Sequence, residues 1–111
     1  MNAEGFRKIA LGMEGAVEGS HMGHPDFRAK GKIFATLFWL EDGTEAGMVK
    51  LTPEQQASCM QAYPDVFSPI KGGWGLRGCT QVDLKAARVA TLKPVMRQAH
   101  ENLVLGKKRK D

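Results

Sequence analysis

The spacing of apolar and polar positions changes several times along the chain, and each change predicts an element. From Ala3 to Met13, Phe6, Ile9, Ala10 and Met13 recur at helical spacing with Arg7, Lys8 and Glu14 off the stripe. That pattern predicts a first helix, stopped by Gly15. Val17, Gly19 and His21 then alternate with Glu18, Ser20 and Met22, and the GHPD that follows reads as a turn: proline fixes one torsion, and Asp26 can bond back to its own backbone. In FRAKGKIFATLFWL, a strand runs into a tight turn at Lys30-Gly31 and out into a longer strand. Ile33, Ala35, Leu37 and Trp39 face one way, with Phe34, Thr36, Phe38 and Leu40 on the other side. Apolar residues on both sides predict a central strand or one covered on both faces.

EDGT supplies an Asp-Gly hairpin, and AGMVKL returns antiparallel with Gly47, Val49 and Leu51 inward. A second helix starts sharply: Thr52 caps it, Pro53 takes the first helical position, and Gln55 sits where a capping box needs it. Pro64 closes it. VFSPI and CTQVDL read as strands on either side of a glycine-rich loop. A last helix carries Leu92, Met96, Ala99 and Leu103 on one stripe, and Thr91 as its cap would leave Pro94 in the first turn. The expected order is α-β-β-β-α-β-β-α. Hairpins join the strands, so the fold class is α+β, an antiparallel sheet of about five strands with flanking helices.

A chain of 111 residues is one domain in size, with 42% hydrophobic and 25% charged residues. Its longest apolar run, Ile33–Leu40, is strand-sized and too short to span a bilayer. No basic-then-apolar leader opens the chain, so no secretory signal and no membrane association are expected. Cys59 and Cys79 have no CxxC spacing, which suits reduced thiols and a cytoplasmic location. The net charge of +4 is less informative than its distribution. The end GKKRKD holds four bases and Asp111, and the remainder has 12 bases against 11 acids, a net of +1. The expected division is a domain over 1–106 and a basic tail over 107–111.

Two stretches carry candidate chemistry. Arg28, Lys30 and Lys32 project around a tight turn, where three cations can follow a phosphate backbone; lysines at such a turn also deter edge pairing. In KGGWGLRG, Trp74 stands among glycines between Lys71 and Arg77. Its indole can stack on a base, or it can fold back and plug the end of the core. The glycine-rich loop precedes a strand, so it lacks the helix N-terminus that binds phosphate. His21, His24 and Asp26 offer three donors without a cysteine pair, and no metal site is expected from them. No serine-histidine-aspartate order and no HExxH is present, so no catalytic residues, no cofactor and no enzymatic activity are expected.

GAVEG, GHPDFRAKGKIFATL, VKLTPEQQ, YPDVFSPIKGGWGLRG and TQVDL occur in that order over Phe6 to Lys107. In this combination the chain resembles the MmcQ/YjbR-like family of small bacterial proteins. The resemblance implies an antiparallel sheet flanked by helices, and DNA binding through two wing-like hairpins. Arg28, Lys30 and Lys32 would form one wing, and Lys71, Trp74 and Arg77 the other. Cys79 and His100 stand where the family often carries aromatics. Binding would be weak, salt-sensitive and mostly to the phosphate backbone. The alternatives are a protein-interaction module that docks a partner on the sheet, and a small-molecule binder beside Trp74. One contiguous basic face favours DNA; bases interleaved with Asp26, Glu41 and Asp65 favour a protein partner.

Overall fold

The computed structural model describes residues 1–104; the expected boundary at residue 106 and the tail 107–111 lie outside them. Elements follow the order α1 (Ala3–Leu11), β1 (Val17–His21), β2 (His24–Ala29), β3 (Lys32–Trp39), β4 (Glu45–Lys50), α2 (Pro53–Ala62), β5 (Phe67–Pro69), α3 (Gly73–Leu76), β6 (Cys79–Asp83) and α4 (Val89–Val104). Six strands form one antiparallel sheet in the order β1-β2-β3-β4-β6-β5. The α+β class holds, with six strands where about five were expected.

The additional strand is β1, the alternating stretch after the first helix that the expected order did not count, and the turn that follows it was misplaced. Met22 and Gly23 both take positive φ, 51° and 80°, as a two-residue hairpin with native twist requires. His21 therefore pairs with His24, and His24, Pro25 and Asp26 belong to β2. The expected turn at GHPD is corrected accordingly. The Lys30-Gly31 turn is where the sequence put it, with φ of 54° and 78°.

Helix ends followed capping chemistry with two corrections. Thr52 accepts from the Gln55 backbone N–H at 3.2 Å while the Gln55 side chain accepts from the Thr52 N–H at 3.0 Å, completing the capping box. The first helix ends one turn earlier than Gly15, at Leu11 with Gly12 as its cap. Thr91 does not cap α4. The Arg88 carbonyl accepts from both Thr91 and Leu92, so the helix opens at Val89 and Pro94 sits inside it. Ala90, whose carbonyl loses its partner to the proline ring, is exposed, so water can satisfy it.

Cross-strand register assigns the faces. Phe27, Ala35, Val49 and Thr80 are successive partners, as are Leu37, Gly47, Val82 and Phe67. All are buried beneath α1, α2 and α4. α1 presses Phe6 into the sheet so closely that a Cβ on Gly47 would stand 2.3 Å from its ring. In β3 a bulge lies at Phe34, because Phe27 pairs with Ala35 but Arg28 with Ile33. Phe34 thus joins Ala35 on the helix side, where it meets His100 edge-on at 5.4 Å. This breaks the simple alternation read from the sequence. The central position of β3 is right, but the three long helices all lie on one face and leave the other without a helical layer.

Candidate nucleic-acid interface

The uncovered face is crossed by a second row of partners: Gly19, Asp26, Thr36, Met48, Gln81 and Ser68. Asp26 is the unexpected member. It is fully buried, and its carboxylate accepts from Arg28 Nε at 2.7 Å and Nη2 at 3.0 Å and pairs with His21 Nδ1 at 2.7 Å. The Arg28 hydrogen bonds hold the Asp26 carboxyl below its ordinary range against the opposing effect of burial, with His21 assisting. Arg28 is consequently committed to a bidentate ion pair. Spacing in the sequence carried this signal: residues 26 and 28 share one face of a strand.

Lys30 and Lys32 remain exposed at the β2–β3 turn. Antiparallel pairing brings the end of β4 and the start of β6 to the same end of the sheet, because Val49 faces Ala35 and Lys50 faces Cys79. Trp74 and Arg77 precede Cys79 and arrive there too. The Arg77 guanidinium carbon lies 5.3 Å from the centroid of the Trp74 ring, and Lys50 Nζ lies 6.0 Å from it. Trp74 is 59% exposed, so it is not a core plug. Lys50 went unpredicted because only pairing between distant segments puts it beside Trp74.

The expected second hairpin wing is corrected. Gly72 turns the chain at φ 85°, and Gly73–Leu76 form a single helical turn. The turn is pinned where Gln56 Nε2 donates to the Gly75 carbonyl at 3.1 Å and to the Cys79 carbonyl at 3.0 Å. A side chain has no room at two positions of this path. A Cβ at Gly75 would stand 1.8 Å from the Ile70 carbonyl oxygen, and one at Gly78, where φ is 110°, 2.0 Å from that of Leu51. Gly75 and Gly78 are there for this tight crossing. Lys71 parts company with Arg77: it lines a cleft of about 530 Å³ with Phe38, Trp39, Leu40, Glu41, Asp42, Ile70 and Gln81. Glu41 and Asp42 therefore line the same cleft as Lys71.

The two positions where aromatics were expected do not meet. Cys79 belongs by register to the uncovered face, whereas His100 packs on Phe34 on the helix side, its Nε2 2.6 Å from the Glu14 carbonyl. Burial raises the Cys79 thiol and pushes Cys59 up to about 11, so neither is poised as a nucleophile. Among the described residues, no helix is long and apolar enough to cross a membrane.

Fold and site together define a two-layer α+β domain with an aromatic-cationic cluster at one end of its sheet. The family model for YjbR matches residues 11–102, and the chain belongs to that family. Two solved structures share the fold. One is a Deinococcus radiodurans protein with the DUF419 domain, 15% identical with a TM-score of 0.75, covering 98% of this chain and 83% of its own. The other is a Pseudomonas syringae protein, 14% identical with a TM-score of 0.71, covering 89% of this chain and 96% of its own. At such identity the likeness concerns the fold. No curated protein matches the chain.

Proposed function

We propose that this protein is a DNA-binding module, a binder and not a catalyst, acting through one basic end of its sheet. The observation that carries the reading is Trp74, 59% exposed and flanked by Arg77 and Lys50, at the end that also presents Lys30 and Lys32. An exposed indole offers a stacking surface, while the cations give phosphate contacts whose strength falls with salt. Arg28 leaves the interface because Asp26 neutralises it, and Lys71 lines a cleft together with Glu41 and Asp42. The wing is thus one hairpin and one helical turn. The test is an NMR titration with duplex DNA carrying a single-stranded overhang, at low and moderate salt. Salt-sensitive amide shifts at Lys30, Lys32, Lys50 and Trp74–Arg77 are expected; salt-independent binding, or none at these amides, refutes the reading.

A protein partner on the uncovered face is the second reading, supported by the row Met48, Gln81 and Ser68, over which no long helix packs. In that case a partner protein shifts this row and leaves Trp74 unmoved.

A further inference from the structure

Resting on the DNA-binding reading, we propose that the bound strand is single-stranded and that the cleft beside Trp39 receives an unpaired base bearing an exocyclic amino group. Trp74 can stack only on a base whose face is free, and in a duplex both faces are covered by neighbours. It is carried on a helix of four residues, too short to reach into a groove. Lys71 lies three residues before Trp74 and lines the cleft, so one loop joins the stacking surface to the cavity.

The cleft itself is unlike a phosphate site. Phe38, Trp39 and Ile70 give it apolar and aromatic walls, and Glu41 and Asp42 place carboxylates in it. Those carboxylates repel a phosphate but accept from an amino group, as in recognition of cytosine N4 by acidic side chains. Asp42 Oδ1 accepts from the Thr44 backbone N–H at 2.9 Å, which orients the carboxylate. Thymine presents a carbonyl oxygen where cytosine presents its amino group, and a carboxylate at that position repels it. Gln81, which lines the cleft, is two residues along β6 from Cys79.

The experiment compares fluorophore-labelled oligo-dC, oligo-dT of equal length and a blunt duplex by anisotropy, with the full chain at neutral pH and low salt. Oligo-dC is expected to bind about tenfold more tightly than oligo-dT, and the duplex more weakly than oligo-dC. Glu41→Gln should shrink the difference by raising oligo-dT affinity, while Trp74→Ala should weaken both strands alike. Equal binding of oligo-dC and oligo-dT, or tightest binding of the duplex, overturns the inference and leaves the basic-end reading standing. Failure of all three probes to bind removes both.

Discussion

Asp26 changes what Arg28 can do. Counted along the sequence, Arg28 is one of three cations at a hairpin; in the fold its guanidinium is spent on a buried carboxylate. Since Asp26 is held below its ordinary range, the ion pair contributes stability above the unfolded carboxyl value, and that contribution disappears as pH falls through the depressed one. Asp26→Ala should cost about 2 kcal/mol at neutral pH, a modest figure because the freed Arg28 and His21 can return to water. It should also flatten the loss of stability toward acid, which chemical denaturation at stepped pH will measure. Trp74 makes the opposite case. Its exposure means that Trp74→Ala should change stability by no more than about 0.5 kcal/mol. The same change should weaken DNA binding by about 1–3 kcal/mol, so denaturation and titration of one variant separate platform from plug.

Elements with local chemistry were readable and those with tertiary causes were not. The start of α2 is written in Thr52, Pro53 and Gln55, and the structure contains both hydrogen bonds of the box. Thr52→Ala should lower stability by about 1 kcal/mol, seen as a lower denaturation midpoint with an unchanged slope. By contrast, Pro25 argued for a turn on composition, yet it lies in β2 opposite Ser20, because Met22-Gly23 makes the tighter hairpin. The α3 turn was misread for a related reason. Its glycines signal a loop by composition, while the crossing beside Ile70 and Leu51 that demands them is invisible until those segments meet.

The charge of the whole molecule is small and unevenly used. Among the cations singled out from sequence, Lys30 and Lys32 are exposed at the end of the sheet that also carries Trp74, Arg77 is exposed beside its ring, Arg28 is paired, and Lys71 shares a cleft with Glu41 and Asp42. The salt dependence of DNA binding should register this sorting. Lys30→Gln, Lys32→Gln or Arg77→Gln should each reduce the slope of log affinity against log salt by about 0.7–0.9, whereas Lys71→Gln should leave it nearly unchanged. Affinity measured at several salt concentrations for each variant checks the assignment.

From sequence alone came the α+β class, the three long helices, the Lys30-Gly31 turn, the inward set Gly47, Val49 and Leu51, and the family. Each depends on short-range periodicity, capping chemistry or an ordered run of motifs, and all of those are properties of neighbouring residues. Only the tertiary structure decided which cations are free, that Lys50 stands beside Trp74, and that the sheet keeps one face without a helical layer. Those facts arise from pairing β4 with β6, segments distant in the chain, and from the bulge at Phe34, which turns a side chain to the other face. Charge and burial belong to contacts between distant segments, and sequence order does not list those contacts.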